Sequence, residues 1–188
     1  MDPTGVLSAF GLSAGAGLNA YIPLFVLGLL NRYTGLVSLR EPWANLSSGW
    51  VLAVLAALIL VEALADNIPG VNHVNDIIQT FIRPAAGALA FVATSKATGT
   101  VDPVLAVIAG ILVAGTVHTA KATVVRPAVN VTTAGMGNTP VSVAEDVTAA
   151  GVSVLALALP VVVGVASIAG VVVVAGWLFR RRRRRRRL

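Results

Sequence analysis

The stretch NDIIQTFIRPAAGALAF, residues 75–91, has the composition of an apolar helix, yet it contains Arg83 followed at once by Pro84. The stretch ATVVRPAV, residues 122–129, repeats this arrangement with Arg126 and Pro127. An arginine within an apolar helix pairs with an acid, faces a water-filled cavity or extends to the bilayer surface. The partners of these two arginines therefore decide how the surrounding helices pack.

The composition is that of an integral membrane protein. Of the 188 residues, 56% are hydrophobic and 12% are charged, and the mean hydropathy is +0.86. Soluble domains carry roughly 25% charged residues, so this chain lacks the polar surface that water requires. The absence of cysteine excludes disulfides and thiolate metal sites. We expect an all-α, polytopic membrane helix bundle without a cofactor or a metal.

Five apolar stretches approach the roughly 20 residues that a membrane-spanning helix needs. They lie near 6–30, 49–65, 77–95, 103–122 and 147–179, and Pro160 is expected to kink the last. One or two broken or re-entrant segments are expected at the polar connections 66–76 and 123–146. The bundle therefore covers residues 1–179 and a tail covers 180–188. The first stretch is not preceded by positive charge, so it is expected to be retained rather than cleaved as a signal peptide.

The tail is an arginine run, Arg180 to Arg187, whose eight charges exceed the net charge of +6, so the remainder carries −2. The high pI describes this tail, and no nucleic-acid partner is expected. The positive-inside rule places the run in the cytoplasm, together with Arg32, Arg40 and Lys96, and five spans then place the N-terminus outside. The expected location is the inner (plasma) membrane, with anionic lipids bound at the tail.

The same topology places the two polar connections on the outer side. It brings together charged residues that are distant in sequence: Glu62, Asp66, His73, Asp76, Arg83, His118, Lys121, Arg126, Glu145 and Asp146. Turns or helix breaks are expected beside them, at Pro69, Gly70, Pro84 and Pro127. We expect these residues to form an outward-facing intramembrane charge cluster.

Glu62 and Asp66 are four residues apart and therefore share one helix face. Since like charges repel at this spacing, a cation, a proton or an arginine from another segment is expected between them. Asp66 could instead cap the helix end, whereas Glu62 lies one turn deeper and must be neutral or paired.

Asp76, Thr80 and Arg83 form a polar stripe on one face of the next apolar helix, with Gln79 one turn before Arg83. This stripe is expected to face the bundle interior, although Arg83 could instead snorkel to the headgroups. A later segment holds His118, Lys121 and Arg126 within nine residues, a pattern typical of a site for phosphate, carboxylate or the protein's own acids. Glu145 and Asp146 are expected at the N-terminus of the last span, which favours acidic side chains.

Small residues precede an asparagine in SAGAGLN, residues 13–19, and in TAGMGN, residues 133–138. Both segments favour a helix break or a close backbone approach, beside Asn19 and Asn138. The distance in sequence between these two segments differs from the distance between the two Arg-Pro stretches. An internal duplication and a drift in composition are therefore both left open. Small residues in GLSAG also permit tight packing within the chain or in a homo-oligomer.

An enzyme is not expected. The stretch KATVVRP resembles the phosphate clamp of membrane phosphatases, but its spacing is two residues short and the catalytic histidine motifs do not follow. The charge cluster indicates either a structural ion-pair network, as in a membrane scaffold or assembly partner, or a pathway. In the second case the protein is a small transporter or channel for protons, ions or a small anionic solute.

Three blocks carry a family resemblance: EALADNIPGVNHVNDIIQTFIRPAAGAL, HTAKATVVRPAVN and NTPVSVAEDV. They resemble the domain of unknown function 4126 family of small bacterial integral membrane proteins, over residues 10 to 155. Asn67 stands where a lysine is common, VTTAGMG replaces a more polar segment, and the arginine tail lies outside the resemblance. The resemblance implies a membrane protein without assigned activity and a site at Glu62, Asp66, Pro69, Gly70, Asp76, Arg83, His118, Lys121, Arg126, Asn138, Glu145 and Asp146.

Overall fold

The computed structural model describes residues 3–67, 71–98, 101–128 and 138–185. In these residues the chain forms seven α-helices and no strand, which confirms the predicted all-α bundle. The helices are α1 (Pro3–Leu18), α2 (Ile22–Tyr33), α3 (Gly49–Asn67), α4 (Val71–Thr98), α5 (Pro103–Ala120), α6 (Asn138–Ala158) and α7 (Pro160–Arg185). A 3₁₀ helix, Trp43–Ser47, precedes α3, and a π-helix, Lys121–Val125, extends α5.

Five of the helices, α3 to α7, are long and apolar enough to cross a membrane. Their apolar stretches are Gly49–Asp66, Val74–Ser95, Pro103–Ala128, Thr139–Ala158 and Pro160–Trp177. The number of spans agrees with the sequence prediction, but the residues differ at the first and last spans.

The stretch 6–30, expected as the first span, is two helices that turn back on each other. The side-chain oxygen of Asn19 accepts hydrogen bonds from the N–H groups of Tyr21 (3.0 Å) and Ile22 (3.1 Å), which caps α2 and competes with continuation of α1. A Cβ placed on Gly15 would lie 3.2 Å from the Pro23 ring, so the chain reverses around Asn19. Both helices are shorter than a membrane span requires.

Helix α1 lies at the centre of the bundle, in contact with α4, α5, α6 and α7. Its buried side chains are mostly small, and a Cβ on Gly17 would lie 2.6 Å from the backbone oxygen of Ala114. Small residues allow helices to approach to backbone contact, which is how membrane helices gain packing energy. The small-residue pattern of SAGAGLN thus serves contacts within the chain.

The stretch 147–179, expected as the last span, is likewise two helices, which meet at Pro160. Gly11 of α1 lies against both Ala156 of α6 and Val163 of α7, while Leu7 lies against Gly164. The end of α6 and the start of α7 therefore both pack on the N-terminal half of α1.

From there α7 returns along the bundle. Its Ala175 and Phe179 line a groove together with Thr80 of α4 and Thr119 of α5. These residues lie near the end of the bundle at which α3 finishes and α4 begins, because Thr80 hydrogen-bonds His118 and His118 contacts Arg83. The expected placement of the arginine run and the charged residues at opposite ends is therefore wrong, because α6 and α7 form a reversal instead of one span.

The N-terminus of α3 lies at the opposite end of the bundle. There Arg32 donates to the backbone oxygen of Ser47 at 2.8 Å, and Leu52 packs on Gly28. The N-terminal half of α1 lies at this same end, because α1 runs antiparallel to α4, with Phe10 against Phe91 and Ser13 bonded to Gly87. The N-terminus is thus opposite the charged residues, contrary to the prediction from five spans.

The contact between α4 and α5 should tolerate no side chain at Gly87. A Cβ there would lie 2.8 Å from the backbone oxygen of Gly110. We expect Gly87→Leu to destabilise the protein by about 1–3 kcal/mol through overpacking. Gly170→Leu on α7 is the matched control, because a Cβ at that position has no atom of a described residue within 4 Å. Thermal unfolding in detergent checks this, and equal melting temperatures for the two variants would contradict the described helix contact.

Candidate functional site

Charged residues from four helices meet at one end of the bundle. We call this set of side chains the charged cluster: Glu62 and Asp66 of α3, Asp76 and Arg83 of α4, His118, Lys121 and Arg126 of α5 and its extension, and Glu145 and Asp146 of α6. Seven of them are buried, and Asp76 and Asp146 are partly buried. The structure therefore brings together the charged side chains that the sequence singled out, except His73, which lies outside the described side chains.

Arg83 is the innermost cation of the cluster. It is only 1% exposed, and its Nη2 donates to Glu62 Oε1 at 2.8 Å. The snorkelling alternative for Arg83 is therefore wrong. Glu62 is 4% exposed, so both charges of this pair are removed from solvent and each depends on the other.

The second contact of Arg83 defines the state of His118. Arg83 Nη1 lies 3.2 Å from His118 Nδ1. A guanidinium only donates, so Nδ1 is the acceptor and the imidazole is neutral with its proton on Nε2. That Nε2–H points to the hydroxyl of Thr80 at 3.2 Å, and Thr80 in turn donates to the backbone oxygen of Asp76 at 2.9 Å.

Three buried polar atoms beside this pair lack a hydrogen-bond partner among the described residues. They are Glu62 Oε2, Gln79 Oε1 and Arg83 Nε. Unsatisfied buried polar groups are few in native proteins, and each one needs a physical explanation. Two of the three are acceptors, so this part of the cluster offers a place for a water, a proton or a cation.

Arg126 forms the second centre of the cluster. Its Nη1 donates to Asp76 Oδ2 at 2.8 Å, and its Nη2 donates to Asp66 Oδ2 at 3.2 Å. Asp66 also accepts from Asn75 at 3.0 Å and from the hydroxyl of Ser142. Asp66 therefore joins α3, α4, α5 and α6. Its role is not limited to capping the helix end, which was the alternative interpretation of the sequence.

Lys121 links this centre to α1. Its Nζ lies 2.6 Å from Glu145 Oε2 and donates to the backbone oxygen of Leu18 at 3.2 Å. Glu145 Oε2 also lies 3.8 Å from Arg126 Nη2. The end of α1 is thus held by a lysine whose charge is balanced on α6.

Asp146 lies next to the reversal between α1 and α2. Its Oδ1 accepts a hydrogen bond from Asn19 Nδ2 at 2.9 Å, and no described cation lies within ion-pair distance of it. The sequence predicts Glu145 and Asp146 at the N-terminus of the last span. Instead, α6 begins at Asn138, so both residues lie two turns inside the helix. Their role is therefore in side-chain contacts rather than in binding to the helix dipole.

A π-turn sets the direction of the two cations on α5. In a regular α-helix, residues five apart point about 140° away from each other. The i to i+5 bonding of Lys121–Val125, closed by the Arg126 N–H on the Lys121 oxygen, brings both side chains into the bundle. Lys121 and Arg126 are buried while the four residues between them are exposed.

The sequence predicts turns or helix breaks at Pro84 and Pro127, but the helices continue through both residues. Pro84 lies inside α4, which continues to Thr98, and Pro127 lies within the helical residues that extend α5 to Ala128. Pro84 has no N–H, so it cannot donate the usual helical hydrogen bond to the backbone oxygen of Thr80. Pro69 and Gly70 lie outside the described residues, and of Asn138 only the backbone is described, at the start of α6.

Several polar partners were not predicted as part of the site. Ser142, Asn75 and Asn19 each bind a cluster carboxylate. Ser142 lies one helical turn before Glu145, and this spacing was a signal in the sequence, since residues three apart share a helix face. The pairing of Asn19 with Asp146 had no such signal, because it depends on the reversal between α1 and α2.

The charges of the cluster are unequal. Among the side chains that are described, five carboxylates face three cations, while His118 is neutral. Among the described residues, no three His, Asp or Glu side chains converge as a metal site. What the arrangement offers is a buried excess of negative charge, which a proton or a cation from solution would balance.

Removing Arg83 alone should destabilise the protein more than removing the pair. In Arg83→Met, Glu62 remains buried without its cation, and we expect a loss of about 3–5 kcal/mol. The double variant with Glu62→Gln should recover at least half of this loss, because neither charge remains. Arg40→Met, at an exposed position, is the control. Chemical unfolding in detergent measures the free energy of unfolding of the two single variants and the double variant. Additive effects of the two substitutions would contradict a direct interaction between Arg83 and Glu62.

The π-turn predicts opposite effects for a deletion and an insertion. Deleting the exposed Val124 leaves Lys121 and Arg126 four residues apart on one face of an α-helix, so the melting temperature should change little. Inserting an alanine after Val124 should turn Arg126 away from Asp66 and Asp76 and lower stability by about 3 kcal/mol or more. Thermal unfolding in detergent distinguishes the two, and a deletion as harmful as the insertion would contradict this account.

Comparison with known proteins gives one family match. The family described as Domain of unknown function (DUF4126) matches residues 6–181, further in both directions than the quoted blocks and into the arginine run. No curated protein and no solved structure matches the chain. With five helices able to cross a membrane and a family match over nearly its whole length, the chain is a multi-pass integral membrane protein that belongs to the DUF4126 family.

Proposed function

We propose that this protein is a small transporter or channel for protons or monovalent cations. The observation that carries the proposal is the buried charged cluster, in which five carboxylates face three cations among the side chains that the structure describes. Intramembrane ionisable groups are costly to bury and mark ion pathways and proton relays. An excess of buried carboxylates is the arrangement that a mobile proton or cation would complete.

An anionic solute fits the cluster less well. Arg83 binds Glu62, Lys121 binds Glu145, and Arg126 binds two aspartates. An anion would have to displace one of these carboxylates and would add negative charge where negative charge is already in excess. Of the solutes that the sequence left open, we therefore favour cations and protons.

Glu62 is the residue that we propose as the exchange site. Its Oε1 holds Arg83, while its Oε2 has no described hydrogen-bond partner. A proton or cation arriving at Glu62 would weaken its hold on Arg83. The guanidinium would then keep its contact with His118, whose neutral imidazole accepts from it.

The arginine run suggests which side of the membrane the cluster faces. With that run in the cytoplasm of the cell, as the positive-inside rule favours, the cluster would open toward the cytoplasm, since both lie at one end of the bundle. We accordingly propose a plasma-membrane location with the cluster in the inner half of the bilayer, and no catalytic activity.

A second candidate is a non-catalytic scaffold or assembly partner. It is supported by the closed geometry of the ion pairs, in which Arg83 and Arg126 each bind a carboxylate at 2.8 Å. In a scaffold these pairs would serve only to hold α3, α4, α5 and α6 together.

Flux measurements test the transport proposal. We expect liposomes containing the protein to pass protons or potassium faster than empty liposomes, measured with an internal pH dye and a potassium-sensitive dye. Glu62→Gln should lower the flux by about tenfold or more, because its removal takes away the exchange site. Glu41→Gln is the matched control, since Glu41 is an exposed carboxylate on the loop before α3.

The result separates the two candidates. Folded wild-type protein whose flux of protons and cations equals that of empty liposomes would contradict transport and favour the scaffold. Flux that is unchanged in folded Glu62→Gln would contradict the assignment of Glu62. A flux of chloride that exceeds that of potassium would contradict the choice of cations over anions.

A further inference from the structure

The bundle has a groove on its outer surface that meets the charged cluster at His118. It is a cavity of about 610 Å³ between α4, α5 and the returning half of α7. Six of its lining residues define it here, and we call it the α7 groove: Thr80, Pro84, Leu112, Gly115, Ala175 and Phe179. Ligand pockets have volumes of roughly 300–1,000 Å³, so the α7 groove is of a size to hold a ligand.

The groove is polar at one end and apolar along the rest. Thr80, His118 and Thr119 line it beside the charged cluster, while Ile111 and Leu112 line it toward the middle of α5. A phospholipid has this same order, with a polar headgroup at the membrane surface and an acyl chain directed to the bilayer centre. The groove therefore matches an amphipathic lipid in orientation.

Positive charge stands at the polar end. Phe179 is a wall of the groove, Arg180 follows it, and α7 continues without a break to Arg185. Arginine-rich segments at the membrane surface attract anionic lipids, and basic pockets between membrane helices bind their headgroups. The arginine run thus begins at the polar end of the groove, one residue after Phe179.

The floor of the groove is kept open by a glycine. A Cβ on Gly115 would meet only the Pro84 ring, at 3.9 Å, so a larger side chain at this position would extend into free space. By contrast, Gly17, Gly87 and Gly110 are all closed by neighbouring atoms. No other described residue closes on this position, so the small size of Gly115 leaves room for a chain.

We propose that the α7 groove binds one anionic phospholipid. One acyl chain lies between α5 and α7 over Gly115, and the headgroup lies at the polar end of the groove, where Arg180 follows Phe179. The lipid would bind α7 to the rest of the bundle along a face where α7 is otherwise exposed. This inference does not depend on transport by the charged cluster.

Native mass spectrometry of the full-length protein tests the proposal. The probes are phosphatidylglycerol and phosphatidylcholine with identical dioleoyl chains, added in equal amounts to delipidated protein. We expect one bound phosphatidylglycerol, retained about tenfold more than phosphatidylcholine because of the arginine run. Gly115→Leu should lower this retention several-fold by filling the groove. Gly151→Leu is the matched control, because Gly151 is exposed on α6 and the described part of the chain has no atom within 4 Å of its Cβ position.

The outcomes are distinct. Equal retention in Gly115→Leu and Gly151→Leu would overturn the groove as the site, and equal retention of the two lipids by the wild type would overturn the anionic headgroup. If Gly115→Leu does not fold, a photoactivatable acyl chain on phosphatidylglycerol provides the second test in the wild type. Cross-links to the peptides that contain Leu112 or Ala175 support the proposal, while cross-links only elsewhere, or a dimer that covers the groove and excludes lipid, overturn it.

Discussion

The arrangement of the bundle depends on the ion pair between Arg83 and Glu62. A guanidinium that is 1% exposed in a membrane protein must have a carboxylate, and the carboxylate comes from α3. Once Arg83 is held, its second nitrogen fixes His118 as a neutral acceptor and so positions α5. Lys121 and Arg126 then follow on the same helix, because the π-turn directs both toward the acids of α3, α4 and α6.

This construction explains why the charges form one cluster instead of three separate ion pairs. Asp66 accepts from three helices, and Lys121 reaches the end of α1 as well as Glu145. Each carboxylate that stabilises a cation also adds to an excess that the cluster does not balance internally. The same contacts that hold the helices together thus bring the carboxylates together, and the proposed function rests on this arrangement.

The sequence was sufficient to predict the all-α membrane fold, because helices in lipid require long apolar stretches. It also predicted the members of the cluster, since charged residues in such stretches are rare and must meet. It could not show that the chain reverses within 6–30 and within 147–179, because the deciding contacts are long-range. Asn19 caps α2 and binds Asp146. Gly11 packs against both α6 and α7. Apolar composition is the same for one long span and for two short helices. The error at 147–179 then placed the arginine run at the wrong end of the bundle.

The surroundings of Glu62 Oε2 provide the most direct test of Glu62 as the proposed exchange site. An experimental density map of the protein in a lipid nanodisc, at a resolution that shows ordered water, would reveal what lies beside this oxygen and beside Arg83 Nε. We predict a water or a monovalent cation within hydrogen-bonding distance of Glu62 Oε2, with Arg83 still bound to Oε1. A map in which another protein side chain or an apolar lipid chain closes that position would contradict it.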